Sequence, residues 1–101
     1  MKKFSELNIN PSILEGIEKM DYQEMTEVQE KVIPVALDDK DVIAQAPTGT
    51  GKTIAFAIPI LEKIDASLDK VQALVISPTR ELAVQIAKEI NTVSKCLDDV
   101  N

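Results

Sequence analysis

Histidine is absent from the 101 residues, and cysteine occurs once, at Cys96. A single thiol forms no internal disulfide and suits a reducing cytosol. With no histidine or second thiol beside it, Cys96 reads as a buried or half-buried helix residue, not a metal ligand or nucleophile. No apolar run approaches the roughly 20 residues that a membrane span needs, so no membrane partner is expected. Met1 to Glu6 leads into polar sequence and not into the apolar segment of a secretory signal, and the expected location is cytoplasmic. Basic residues are in the minority. Eleven Lys and Arg against 17 Asp and Glu give a net charge of −6 and a pI near 4.5. That balance excludes a broad basic surface for nucleic acid, so any such contact rests on a few local groups. Aromatics are scarce, two Phe and one Tyr, which gives the position of each some weight.

What is present is ordinary for a globular chain: 45% hydrophobic and 28% charged residues, with neither repeats nor low-complexity segments. The length suffices for one small core, but a complete doubly wound nucleotide-binding domain is usually larger. Asn10-Pro11 predicts a helix start, with Asn as N-cap and Pro at the first helical position. Ile13, Leu14, Ile17 and Met20 follow on one face. Thr26 caps the next predicted helix, with Val28, Val32, Val35 and Ala36 inward. Pro34 should kink that helix or lie near its end. Asp38 to Asp41 reads as a polar turn whose acids cap and are solvated, not as a metal site. Val42-Ile43-Ala44 reads as a short buried strand, and Lys52 to Ile64 as a helix containing Pro59, with Phe56 in the core. Val71 to Ser77 is the strongest strand signal. After Pro78, the residues Leu82, Ala83, Ile86, Ala87, Ile90 and Val93 mark a long amphipathic helix. Strand, helix, strand, helix implies an α/β fold with a right-handed parallel crossover and helices flanking the sheet. Parallel strands need cover on both faces and neighbours on both edges. Only two strands are visible, so the sheet is expected to be incomplete at this length.

Ala46-Pro47-Thr48-Gly49-Thr50-Gly51-Lys52-Thr53 lies between a predicted strand and a predicted helix, the context a Walker A loop requires. Gly49 and Gly51 let the backbone curl until successive N–H groups converge. With the helix N-terminus those amides form an anion cradle. Lys52 supplies a point charge for the β- and γ-phosphates, and Thr53 a hydroxyl for Mg²⁺. Ala46 stands where the first Gly usually does. A coincidental glycine-rich turn is the competing account, and the context weighs against it. The loop alone names neither the base nor the work the nucleotide drives.

Two flanking segments identify a resemblance. Asp21-Tyr22-Gln23-Glu24-Met25-Thr26-Glu27-Val28-Gln29 is similar to the Q motif of DEAD-box RNA helicases, Gly-aromatic-x-x-Pro-Thr-x-aliphatic-Gln, with Asp21 and Met25 in the Gly and Pro places. Phe4 precedes Asp21 by 17 positions (21 − 4 = 17), the family's spacing for an upstream aromatic. Pro78-Thr79-Arg80-Glu81-Leu82-Ala83, with Gln85 beyond it, matches motif Ia. The resemblance covers Phe4 to about Gln85. It implies a partial RecA-like P-loop NTPase domain, residues 1–101 being its N-terminal part, which binds ATP or ADP with Mg²⁺.

By that resemblance Gln29 hydrogen-bonds the adenine edge, Phe4 packs on the adenine face and Tyr22 lines the pocket. Motif Ia, Pro78, Thr79, Arg80 and Glu81, holds an RNA backbone without reading its sequence. Each has a plainer alternative. Thr26-x-x-Gln29 is also a capping box, Phe4 an apolar anchor for the N-terminus, and Arg80 a solvated residue or a partner of Glu81. No Asp-Glu-Ala-Asp occurs in the 101 residues, and the second motor domain is likewise missing. The expectation is therefore an RNA-dependent ATPase and helicase in the parent protein, with nucleotide binding at most in this chain. A DNA helicase and a non-catalytic nucleotide-binding module are the alternatives. Self-association through the incomplete sheet is also expected.

Overall fold

Helices begin where the capping residues lie. The computed structural model describes residues 3–46, 51–65, 67–95 and 97. Helix α1 (Pro11–Lys19) starts on Asn10, whose side chain accepts the Ser12 N–H at 2.9 Å, with Pro11 in the first turn where its missing N–H costs nothing. Helix α2 (Glu27–Leu37) is capped by Thr26 and ends three residues after Pro34. Helix α3 (Lys52–Lys63) contains Pro59, and helix α4 (Arg80–Ser94) is capped by Thr79, which accepts the Leu82 N–H at 3.1 Å.

Two helix ends explain an unusual residue choice. Asp21 and Asp39 both have positive φ, 64° and 61°. Each follows the cap of its helix. At the end of α1 the Tyr22 N–H reaches Ile17 O and the Asp21 N–H reaches Glu18 O. At the end of α2 the Lys40 N–H reaches Val35 O and the Asp39 N–H reaches Ala36 O. Both are Schellman motifs, whose left-handed position normally takes Gly. Asp is among the few side chains that tolerate it. Lys63 closes the α2 end further. Its ammonium donates to the Ala36 carbonyl and pairs with the Asp39 carboxylate.

The core joins all four helices: Ile13 and Ile17 of α1, Ile33 of α2, Ile54, Ile58 and Leu61 of α3, and Val93 of α4, with Phe4, Ile9 and Met25 between them. Burying each aliphatic side chain contributes about 1.5–3 kcal/mol. Gly16 sets the approach of α1 to α4, because a Cβ there would lie 2.0 Å from the Val93 carbonyl oxygen. Glu62, near the end of α3, accepts the Asn10 N–H at 2.9 Å and ties α3 to the start of α1.

Neither predicted strand is paired. Among the described residues there is no β-strand, only an isolated antiparallel bridge between Lys3 and Glu24. Residues 42–44 and 71–77 are β-forming in type, yet a strand exists only through a ladder to a neighbour. Ile43 is 102% exposed, Val71 88% and Ile76 85%. The same lack of a partner surface corrects the predicted helix faces. Val35, Leu82, Ala83 and Ala87 are exposed, and Phe56 is half-buried. In α2 the fully buried positions are Gln29 and Ile33, not the valines. No helix among the described residues is long and apolar enough to cross a membrane.

Candidate nucleotide-binding site

Gly51 has φ 79° and ψ 29° and caps α3. This left-handed turn delivers the chain into a helix that opens with Lys52 and Thr53, so the first free N–H groups of α3 lie at these residues. Lys52 is exposed and Thr53 half-buried. Ala46, before the loop, is half-buried. Pro47, Thr48, Gly49, Thr50 and, elsewhere, Cys96 lie outside the described residues.

Gln29 reaches this turn from 22 residues away. It is 2% exposed. Its Oε1 accepts the Thr26 N–H at 2.8 Å, and its own N–H donates to Thr26 Oγ1 at 3.4 Å, closing the capping box. Its Nε2 donates to the Gly51 carbonyl at 3.0 Å. The capping box was legible as Thr26-x-x-Gln29. The bond to Gly51 was not, since nothing local links positions 29 and 51.

Tyr22 is 43% exposed and borders a cleft of about 870 Å³ together with Gly51, Lys52 and Thr53. The rest of that cleft is mainly apolar, lined by Val28, Val32, Phe56, Ile60, Leu82 and Ile86. It is therefore two surfaces in one: a polar mouth at the start of α3 and the uncovered faces of three helices. Phe4 does not border it. The ring is 3% exposed within the core, and the Phe4 N–H donates to Gln23 O at 3.0 Å beside the Lys3–Glu24 bridge. In this structure Phe4 anchors the N-terminal turn to the segment leading into α2.

The second candidate region is the start of α4. Pro78, Thr79, Arg80 and Glu81 are all exposed. Ser77 Oγ donates to the Thr79 carbonyl at 3.2 Å, and Thr79 caps the helix. No ion pair between Arg80 and Glu81 occurs among the described residues. No group of three or more potential metal ligands occurs among them either. The resolved titration shifts fall on the first turns of α2 and on the segment after α3. A hydrogen bond and charge attraction from Lys31 at 2.8 Å hold the Glu27 carboxyl below its ordinary range and Lys31 above its own. Hydrogen bonds from Ser67 lower Asp65.

Solved DEAD-box proteins share this fold. A DEAD box protein from the hyperthermophile Methanococcus jannaschii superposes with a TM-score of 0.85 at 42% identity, over 90% of this chain and 25% of its own. S. cerevisiae Dbp5 bound to RNA and ADP BeF3 superposes with a TM-score of 0.90 at 35% identity, over 95% of this chain and 25% of its own. The family model of the DEAD/DEAH box helicases matches residues 26–100, and the chain belongs to that family. Among curated relatives, the ATP-dependent RNA helicase CshA of Listeria monocytogenes is 49% identical over 94 residues, 93% of this chain and 18% of its own length. The CshA of Geobacillus kaustophilus is 51% identical over 90 residues, 89% of this chain and 19% of its own. The chain thus spans under a fifth of the length of these curated relatives.

Proposed function

We propose that this chain is the N-terminal, ATP-binding part of the first RecA-like domain of an ATP-dependent RNA helicase. The observation that carries the reading is the left-handed Gly51 opening α3 on Lys52 and Thr53, with Gln29 buried against it. The amides at the start of α3 and the Lys52 ammonium receive the phosphates. The Thr53 hydroxyl would hold Mg²⁺, which would supply charge neutralisation at the phosphates when bound. Gln29 reads the adenine edge, and Tyr22, whose ring is exposed, lines the base pocket. Thr79 and Arg80 bind RNA phosphates at the exposed start of α4, which suits a sequence-independent contact. The full Pro78-to-Ala83 motif favours RNA over DNA as the substrate of the parent protein. The sheet is completed by strands outside these residues, since the relatives are about five times as long. Carrying no Asp-Glu-Ala-Asp sequence, the 101 residues bind nucleotide without hydrolysing it.

An amide NMR titration with ADP and then GDP, each with Mg²⁺, tests this. Shifts at Gly51, Lys52 and Thr53 with both nucleotides, and at Gln29 and Tyr22 with ADP alone, are expected. Lys52→Ala should abolish all of them. Equal responses to both nucleotides would remove the adenine role, and no response at the start of α3 would remove the phosphate loop. The exposed Ile43, Val71, Leu74 and Ile76 also favour self-association of the chain by itself. A monodisperse monomer by light scattering at high concentration would refute that.

A further inference from the structure

We propose that two copies of this chain join across a two-fold axis by pairing residues 71–77 antiparallel, centred on Leu74. The inference rests on the self-association stated above and names its seam.

The backbone gives the first reason. No backbone N–H or C=O of residues 71–76 bonds another backbone group among the described residues. Yet Val71, Val75 and Ile76 are β-branched and fit a pleated, paired segment. Such an unpaired row of donors and acceptors is a template for a second chain.

The side chains give the second. Val71, Ala73 and Val75 line a cavity of about 580 Å³ that Ile60 of α3 and Ile90 of α4 also line. Leu74 and Ile76 line neither that cavity nor the cleft at the start of α3. They are 81% and 85% exposed, whereas Val75 between them is 39% exposed. Alternate residues thus serve the chain's own helices and the outside, which is the period of a strand. Gln72 is held aside. Its Oε1 accepts the Asp65 N–H and its Nε2 donates to the Asp65 carbonyl, both at 2.7 Å. The outward surface is left to Leu74 and Ile76.

Charge selects a second copy as the occupant. The net charge of −6 opposes association in general. Residues 71–77 carry none of it, and the flanking pairs Asp69-Lys70 and Arg80-Glu81 are each neutral. None of these four forms an ion pair among the described residues. A two-fold axis makes paired strands antiparallel and their contacts reciprocal. Centred on Leu74, the pairing sets Val71 opposite Ser77, Gln72 opposite Ile76 and Ala73 opposite Val75. Leu74 meets its own copy, and Ile76 reaches that residue diagonally. Pro78, with no N–H, falls opposite Lys70 and ends the ladder. Asp69 of each copy then lies level with Thr79 of the other, beside the oppositely charged Arg80. The same chain therefore supplies both the missing ladder and the missing counter-charge. One strand pair buries less than the roughly 800 Å² per partner of a standard interface, so the dimer is weak and reversible.

Sedimentation velocity over a range of concentrations measures the association, and cross-linking locates it. Cys96→Ser removes the one native thiol. In that background Leu74→Cys should oxidise to a disulfide-linked dimer, because residues facing each other across an antiparallel pair lie about 4.5–5.5 Å apart at Cα, within disulfide reach. Ile43→Cys, at a fully exposed position, is the collision control and should link more slowly. Leu74→Lys changes an exposed residue, so its circular dichroism should match the parent's. It sets two ammonium groups opposite each other and should weaken dimerisation about tenfold or more. Dimers that link no faster through position 74 than through position 43, or that survive Leu74→Lys unchanged, would overturn the seam and leave self-association standing. Oligomers that grow beyond the dimer would overturn the closed two-fold arrangement. A monomer at every concentration would sink the self-association reading, and this inference with it.

Discussion

Replacing Gly16 by Ala sets two opposed effects against each other at one carbon atom. Gly in a helix interior is destabilising by about 1 kcal/mol relative to Ala, so propensity alone predicts a gain. Packing predicts the opposite. The added Cβ would sit 2.0 Å from the Val93 carbonyl oxygen, 2.8 Å from its carbon and 3.1 Å from its Cα. These are backbone atoms of α4 and cannot rotate aside, so α1 and α4 must separate by about an ångström to restore ordinary contact. Val93, Ile13 and Ile17, all buried at that junction, then lose contacts. Overpacking a tight core costs about 1–3 kcal/mol and more where backbone must move. The expected net effect is a loss of about 2 kcal/mol, which for a chain of this size lowers Tm by about 8–16 °C. Urea titration followed by far-UV circular dichroism measures it. A variant more stable than the parent, by the roughly 1 kcal/mol of helix propensity, would show that α1 and α4 do not approach as described.

Other consequences follow from the helix ends and surface charges. Asp21→Gly relieves a non-glycine left-handed residue, and after the added unfolded-state entropy should stabilise by up to about 1 kcal/mol, read as a raised urea midpoint. Lys63→Met removes the cation from the α2 C-terminus and should lower Tm by a few degrees, less at high salt, since the pair is exposed. Glu27 titrates below its ordinary 4.5, so the stability from its bond with Lys31 is present above that pH and is lost as pH falls through the lowered value. Lys31 titrates above 10.5, so its share is present below that pH and disappears as pH rises through the raised value. In Lys31→Met the Glu27 carboxyl resonance should titrate at a higher pH, and an unchanged midpoint would refute the pairing.

The Walker A residues, the Q-motif spacing and the Pro78-to-Ala83 run were legible because they are patterns of fixed local offset. So were Asn10 and Thr26 as helix caps, where each side chain meets a backbone N–H two or three residues on. The family could be identified from these alone, and the matching of residues 26–100 agrees. What tertiary structure decided is everything that depends on partners distant in the chain. Val71 to Ser77 has β-forming residues, but a strand is a relation between two segments, and no second one pairs with it among the described residues. Phe4 kept its family spacing, yet only packing could place its ring in the core and leave Tyr22 open. Asp21 departs from the family's Gly, and the φ of 64° explains why Gly is favoured there and how Asp serves. Gln29 shows the division within one side chain. Its bonds to Thr26 follow from three-residue spacing, whereas its bond to Gly51 exists only because folding brings α2 against the start of α3. Local offsets are written in the chain; distant contacts arise from burying apolar surface, which is non-directional and takes its geometry from the assembled core.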